Sequence, residues 1–510
     1  MLWLFMTIAS LGGSIYVDPS GVTEASATKL GANVAYDAIE ERGRRQSPAI
    51  RTQSEDRILM PTQRAKLDAN AQDLHRNYSI FQWCVRRHLD YVATFQFHAR
   101  TDSPQLSEAE NDAFNDQVET WFTKWCRAPN CDAASRHRFS KMIRLTELQA
   151  VLRGDCGLMK LADGSLQGIE TDRIRNPIGS DYVANVWVHG VKVDSAGGAK
   201  AYAIHRRLPW GSYEFERQVG AQNLVLHGYF DRFDQVRGIS PIVTALNPFR
   251  DTYEGLDLAL AKAKVEQLFA LAFYRDADEA AGEVTNDGAD DGSGDDTNKS
   301  KYSVDFGKGP VLLDLDAGDR AEFLKTDAPG ANFPAFMQLV LTIGLKALDI
   351  PYSFFDESHT NFFGSRGAWL HYERACIDKR EALIEVQNRL MIWRLILAIL
   401  DEELILPRGL SLGDIAWEFT PTGMPWWKPS EEIRGDLMAI GAGFTDPQRV
   451  CKEHGTGDFK RNVRNTCRLM KFAKETAASM GVNFRVSFDP GPEQPVQVVN
   501  AEDSGVQSGK

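Results

Sequence analysis

With 510 residues, 43% of them hydrophobic, the chain is long enough for a sizeable buried core and too long for one simple core, so two to four subdomains are expected. A formal net charge of −12 argues against a sequence-specific DNA binder, because such proteins gain most of their affinity from basic side chains that displace phosphate counterions. Seven cysteines, odd in number and scattered from Cys84 to Cys467, are unlike the dense framework of a secreted domain and point to a reducing, cytoplasmic assembly environment.

The start, Met1 to Val17, is apolar as far as Ser10, lacks a basic leading region and is broken by Gly12 and Gly13. It reads as a mobile N-terminal arm or an over-long gene start, with a signal peptide as the alternative. From Thr62 to about Ala93, Leu67, Leu74, Ile80, Phe81, Cys84, Val85 and Leu89 recur at helical spacing, with Asn77 and Ser79 as break and cap between two helices. Asn111 to Lys124 and Phe139 to Leu152 repeat that pattern, with Trp121, Phe122 and Trp125 as bulky core anchors. Between Gly157 and Tyr229 the period changes. Short runs such as Tyr182–Val188, Ala201–His205 and Asn223–Leu226, separated by Asp163-Gly164, Gly190 and Gly197-Gly198, indicate hairpins in an antiparallel sheet.

Helical pattern resumes at Pro241 and runs from Asp251 to about Phe273. Asp276 to Asp296 is dominated by Asp, Glu, Gly, Ala, Asn and Ser and reads as a solvated acidic loop, since it offers too little apolar surface to offset the entropy of ordering. Strand-like segments follow near Val304, at Val311–Leu315 and at Phe323-Leu324; Asn332 is placed to cap a second helix from Phe333 or Pro334 to Leu348, which Pro351 closes. Two helices thus bracket a small α/β insert. Ser353 to Gly367 reads as a polar, glycine-containing loop and Ala368 to about Leu406 as a very long helix whose second half is apolar on nearly every face, so that a partner subunit is expected to cover part of it. Its most apolar run, Leu390 to Leu400, is too short to cross a bilayer and carries Arg394. Trp417 to Phe419 reads as a strand, Glu431 to Met480 as helical, and the tail beyond Asp489 as disordered.

The usual enzymatic constellations are missing from the sequence: no Gly-x-x-x-x-Gly-Lys-Ser/Thr, no His-Glu-x-x-His and no Gly-x-Ser-x-Gly. Asp287, Asp290, Asp291, Asp295 and Asp296 are the candidates for a metal-dependent nuclease, but glycines separate them and metal catalysis needs ligands on rigid elements, so a solvated loop is the expectation. Cys126, Cys131 and His137, with Cys156 further on, fit zinc spacing poorly and read as buried thiols. No metal and no cofactor are expected.

His227-Gly-Tyr-Phe-Asp-Arg-Phe-Asp-Gln-Val-Arg-Gly-Ile-Ser-Pro241, running on into the helix from Asp251 to Lys264, resembles the Gln-x-Arg-Gly-[hydrophobic]-Ser-Pro element of the lambda-type portal family of tailed phages. Asp73-Leu-His-Arg-Asn77 is similar to that family's N-terminal Arg-Asp-Leu-x-Arg-Asn turn. Gly154-Asp155 with Ile169–Ile174, and Thr360-Asn-Phe-Phe-Gly-Ser-Arg-Gly-Ala368, match further segments in the same order, and the similarity spans roughly residues 60 to 470. Phe362-Phe363-Gly364 departs from the family's aromatic-Ser-Ser, and the acidic loop reads as an insertion.

The resemblance implies an α+β portal-type fold with a helical stem and crown, a β-rich wing and a small α/β clip insert. On that mapping residues 1–60 form an arm, 61–249 the wing, 250–273 and 333–350 the stem helices, 274–332 the clip with acidic loop 276–297, 351–367 the tunnel loop, 368–430 the long wing helix and return strand, 431–490 the crown-side helices and 491–510 a disordered tail. It implies a homo-oligomeric ring, usually dodecameric, assembled in the host cytoplasm and built into the virion at one capsid vertex. There it serves genome packaging, head–tail joining and DNA ejection. The expected partners are double-stranded DNA bound non-specifically, the terminase large subunit that hydrolyses ATP, the major capsid or scaffold protein, and head-completion or adaptor proteins, with no membrane and no enzymatic activity of its own. A nuclease of a mobile element and another head–tail connector are the competing readings. On the tunnel loop His359, Asn361, Phe362, Phe363 and Arg366 are the candidate DNA contacts, the alternative being an interhelical connection with a local core. Lys262 and Lys264 face either the channel or the solvent outside the ring, and Trp393, Arg394 and Leu397 are candidates for the subunit interface. A non-basic lumen suits a sliding polymer, since it avoids the counterion-release affinity that would hold DNA in place.

Overall fold

The computed structural model describes residues 54–177, 186–268, 271–275, 319–323, 332–356, 362–423, 426 and 428–481. The chain divides into Met1–Ile58 and Leu59–Lys510. Of the first unit the description covers only residues 54–58, with a one-turn helix at Glu55–Ile58. The N-terminal apolar stretch, the acidic loop 276–297, the strands expected near Val304 and Val311–Leu315, and the tail beyond Asp489 lie outside the described residues.

The second unit opens with α1 (Pro61–Asn77) and α2 (Ser79–Val92), which break at Tyr78 where the sequence places a break. Ser79 is the first residue of α2 and Tyr78 takes the cap position, with an extended backbone and no side-chain cap bond. The short strand β1 (Phe95–Ala99) leads to α3 (Glu108–Trp125). α3 starts three residues before the expected Asn111 because Ser107 and Glu110 form a reciprocal cap: the Ser107 hydroxyl accepts from the Glu110 amide and the Glu110 carboxylate accepts from the Ser107 amide. α4 (Phe139–Arg153) follows.

The β-rich region forms two antiparallel sheets. β2 (Asp155–Lys160) is flanked by β3 (Leu166–Glu170) and β8 (Leu224–Gly228), while β4 (Trp187–Val188), β5 (Val191–Val193), β6 (Ala199–Arg207) and β7 (Tyr213–Gly220) run as a meander. A small core of Met159, Ile169, Ile174, Val191, Tyr202, Ile204, Val219 and Leu224 joins them. Residues 178–185, the first part of the expected Tyr182–Val188 strand, lie outside the described residues.

α5 (Leu246–Leu268) begins five residues before the expected Asp251 and ends before the expected Phe273. Leu271–Arg275 is instead a strand, β9, paired antiparallel with β10 (Asp319–Phe323). The aromatic residues Phe273 and Tyr274 favour the extended backbone once a partner strand is present. α6 (Phe333–Leu345) passes through a 3-10 turn, Lys346–Leu348, and stops at Asp349, whose φ of 62° is left-handed. Asn332 holds the cap position of α6, but its side chain makes no cap bond.

α7 (Phe362–Leu400) is the longest described element. It starts six residues before the expected Ala368: Gly364 and Gly367 are taken into its first turns at a cost of roughly 1 kcal/mol each relative to Ala, which the rest of the helix absorbs. It ends before the expected Leu406, because Glu402 adopts a φ of 56° and the Glu403 and Leu404 amides both turn back onto the Ala398 carbonyl. β11 (Trp417–Pro421) returns to pair with β1, and the chain closes with α8 (Pro429–Gly441), α9 (Pro447–Glu453) and α10 (Phe459–Met480).

One large core unites α1 to α7 with the β1–β11 ribbon, and Phe81, Phe249, Leu345, Leu383 and Leu390 are wholly enclosed in it. Burying each such side chain stabilises the fold by about 1.5–3 kcal/mol. Among the described residues of α8 to α10 and their links, only Val450 and Asp458 are buried, so the C-terminal helices stand outside that core.

Candidate functional site

The segments that carry the resemblance meet at the root of the α5–α6 helix pair. α4 ends at Gly154, whose φ of 95° suits glycine, and the next residue, Asp155, starts β2 wholly buried. The link from β8 to α5 brings Arg237, 1% exposed, onto that carboxylate. The guanidinium donates to Asp155 in a fork, from Nε to Oδ2 at 2.6 Å and from Nη2 to Oδ1 at 2.8 Å. It also donates to the carbonyls of Ile174 (3.0 Å), His189 (2.6 Å) and Thr171 (3.1 Å). All five N–H groups of the side chain are therefore engaged. The Gly238 amide donates to Asp155 Oδ2 at 3.0 Å, and its carbonyl accepts from Arg64 Nη1 on α1 at 2.7 Å.

Burial would raise the Asp155 carboxyl, but the charge and bonds of Arg237 outweigh it and hold the group below the usual carboxylate range. A Cβ on Gly238 would lie 2.1 Å from the Gly154 carbonyl oxygen, so the two glycines let the two segments touch backbone to backbone. Ser240 accepts from the Ile242 amide and donates to the Val151 carbonyl, capping the turn Pro241–Ala245 that feeds α5. Arg237, Gly238 and Ser240 thus have structural work: they lock α4, β2 and α1 to the start of α5.

The N-terminal match joins the same root. Asp73 on α1 pairs with Arg250 at 3.1 Å, Tyr78 donates its hydroxyl to Thr252 at 3.0 Å, and Phe81 meets Phe249 edge to face. Gly344 on α6 lets that helix close onto the Phe249 ring, since a Cβ there would lie 3.1 Å from it. Beside this, Asp172 receives Arg153, Arg207 and Tyr213; burial opposes its ionisation but the bonds from Arg207 and Tyr213 prevail and hold it at about 2.

A second buried cluster lies deeper. Glu147 on α4, wholly enclosed, bonds His88 Nε2 and His227 Nε2 at 2.7 Å each and accepts the Tyr229 hydroxyl. Burial pushes its carboxyl up, and the bonds from His227 and His88 override that and draw it well below the usual range. Sequence reading missed this cluster, because residues 88, 147 and 227 come from three distant segments with no shared motif.

Of the tunnel loop 351–367, the first part forms a 3-10 turn, Tyr352–Phe354, with Phe354 against Tyr91 and Tyr372 and Phe355 against Trp83. His359 and Asn361 lie outside the described residues, while Phe362 and Phe363 open α7. Arg366 pairs with Glu432 of α8, within the same chain. Lys262 and Lys264 are exposed on α5. The three interface candidates on α7 separate. Arg394 is buried, pairs with Glu403 and lies over the Trp121 ring at 5.3 Å; Trp393 packs against the core; Leu397 is half-buried. The open apolar stripe of that helix is Ile392, Ile396 and Leu400, at 47%, 38% and 71% exposure, a spacing of four that helical geometry puts on one face.

Cys126 and Cys131 are free thiols, as are the other five; burial pushes Cys131 up to about 11, and its Sγ donates to the Cys126 and His137 carbonyls. Among the described residues no group of three or more His, Cys, Asp or Glu is arranged to hold a metal ion.

In this arrangement buried charge fixes the root of the α5–α6 helix pair. The family model for phage portal proteins of the lambda family matches residues 42–380, well over half of the chain, and the chain belongs to that family. No curated protein matches it. Among solved structures it is similar to a chain from the virion of the native gene transfer agent particle, at 14% identity over 77% of this chain and 92% of that one, with a TM-score of 0.43. A chain from the neck of the native particle computed with C12 symmetry is similar at 14% identity over 77% and 92%, TM-score 0.42. One from the neck of the empty particle computed with C6 symmetry gives 14% over 75% and 92%, TM-score 0.40.

Proposed function

We propose that this portal protein assembles into a dodecameric ring at one capsid vertex, with the α5–α6 pairs of neighbouring copies lining a channel that passes double-stranded DNA. The observation that carries the ring is the outer surface of the pair: Leu258 and Leu260 on α5, and Phe336, Leu339 and Ile343 on α6, are between 55% and 69% exposed. An unpartnered helix pair with that much outward apolar surface calls for neighbours on both sides, and a head-to-tail contact between copies forms a ring where its rotation closes on itself. The tunnel loop, anchored by Phe354 and Phe355 and tied at its exit by Arg366, would present its tip to the duplex through weak backbone contacts. The role is mechanical. ATP hydrolysis belongs to the terminase large subunit that docks on the ring, and capsid or scaffold protein and adaptors are its other partners.

Negative-stain microscopy of the purified protein tests this: rings with a central hole and twelve-fold class averages are expected, and dispersed monomers would oppose it. For the loop, deletion of residues 357–363 should leave rings intact and lower the DNA retained per particle.

A further inference from the structure

We propose that the groove between α3 and α10 is a contact for the backbone phosphates of duplex DNA, separate from the helix pair and loop proposed for the channel. The chain as a whole is acidic, at −12, yet α10 carries Lys460, Arg461, Arg464, Arg468, Lys471 and Lys474 against the single acid Glu475. Arg461, Arg464 and Arg468, spaced three and four apart, share one face, and that face turns toward α3. There Arg461 pairs with Glu119 at 2.7 Å and Arg464 with Asp112, which fixes the helix in place. Beside those pairs lies a groove of about 640 Å³, into which Lys124, Arg127 and Arg468 bring cations from both sides, with Thr120, Thr123 and Asn465 as neutral donors.

Among the described residues the side chains of Lys124, Arg127 and Arg468 have no ion-pair partner of their own, whereas the facing acids Glu119 and Asp112 are already taken. Of the described residues lining the groove, Asp116 is the one remaining carboxylate. Three uncommitted cations at the wall of one groove, with hydroxyl and amide donors between them, match the needs of successive phosphates: charge to displace counterions and polar groups to fix the backbone, with nothing that reads base edges. A single small anion would leave most of the groove empty. The identity of the polyanion rests on the portal reading; the existence of the site does not.

The test uses assembled rings and a covalently closed circular duplex, which cannot thread a closed channel and so reports only other surfaces. Wild-type rings should bind the circle, with log K falling steeply against log salt. Lys124→Gln/Arg127→Gln/Arg468→Gln should form rings of normal appearance, bind about tenfold or more weakly near 0.1 M salt, and show a slope shallower by about 0.9 for each phosphate that is no longer neutralised. Arg127→Lys/Arg468→Lys, which keeps the charge, should bind close to wild type. Four results would overturn the proposal: wild-type rings that ignore the circle, a triple variant with unchanged affinity and slope, a triple variant that no longer makes rings while the Lys variant does, or displacement of the circle by millimolar inorganic phosphate at matched ionic strength. The third would assign the groove to an acidic surface of a neighbouring copy. Absence of rings from the wild type would instead refute the ring itself.

Discussion

Replacing Arg237 with Met should destabilise the subunit severely. The guanidinium is enclosed, forked onto Asp155 at 2.6 and 2.8 Å, and satisfies three carbonyls as well. Methionine fills much of the volume but leaves the wholly buried Asp155 without its counter-charge, and breaking a buried pair from one side costs about 3–5 kcal/mol. The orphaned carbonyls of Thr171, Ile174 and His189 push the loss toward the upper end. Against a total stability of about 5–15 kcal/mol that is a large fraction. Urea titration of the unassembled subunit, followed by tryptophan fluorescence, should therefore show a much lower midpoint at an unchanged slope. The double change Asp155→Leu/Arg237→Met removes both charges and should recover a substantial part of the loss, giving a coupling energy well above about 1 kcal/mol. The pH dependence has a definite sign. In the native protein the Asp155 carboxyl is held below its ordinary 3.8, so its contribution is present above that value and fades as pH falls through the lower folded value. Without Arg237 burial prevails and raises the carboxyl, so the deficit of the variant should be larger at pH 7 than at pH 4. A single variant within about 1 kcal/mol of the native subunit, or a double variant no better than the single, would refute the clamp.

Glu147→Gln should cost about 1–3 kcal/mol at pH 7 and flatten the acid limb of stability. The Glu147 carboxyl, drawn below its ordinary 4.5, stabilises the native state above that pH and loses the effect as pH falls; urea midpoints between pH 7 and 3 check both parts. Ile396→Asp, on the open stripe of α7, should leave the subunit's unfolding free energy within about 0.5 kcal/mol while abolishing rings in sizing chromatography and microscopy. Trp393→Asp, on the same helix but packed on the core, should instead lower the yield of soluble subunit.

The order of helices and sheets was legible because amphipathic spacing and glycine-bounded short runs report local geometry directly, and α1, α2, α4, α6 and the strands β6 and β8 follow from it, whereas β7 was not singled out. The ends of α7 were not, since Gly364 and Gly367 look like loop residues until a long helix offsets their propensity, and the stop at Glu402 depends on a left-handed turn. The strand at Leu271–Arg275 was hidden for another reason: a short, mainly apolar run reads equally as the end of a helix, and only pairing with Asp319–Phe323 decides it. On the site, the sequence located the Arg237 and Asp155 segments but not the bond between them, because a contact across 82 residues leaves no periodic trace. The apolar stripe of α7 was within reach. Ile392, Ile396 and Leu400 share one helical face, whereas Trp393 and Arg394 drew attention by size and charge; Arg394 is buried and Trp393 half-buried against the core.

Arg237 also shows that the resemblance rests in part on a buried residue. If the α5–α6 pair packs against neighbouring copies as proposed, the root of that pair has to hold it at a fixed angle to the rest of the subunit. Apolar packing alone tolerates small rotations, since neighbouring side chains of similar size can slide past one another. A fork-to-fork ion pair does not, because its bonds weaken steeply once the donor angle departs from linear. Placing Asp155 at the first residue of β2 and Arg237 four residues before the turn that feeds α5 ties the direction of the helix to the plane of the sheet. The Gly154–Gly238 approach then sets the distance, since no larger residue fits at either position. Direction and distance together define the root, and the exposed apolar side chains of α5 and α6 take no part in it.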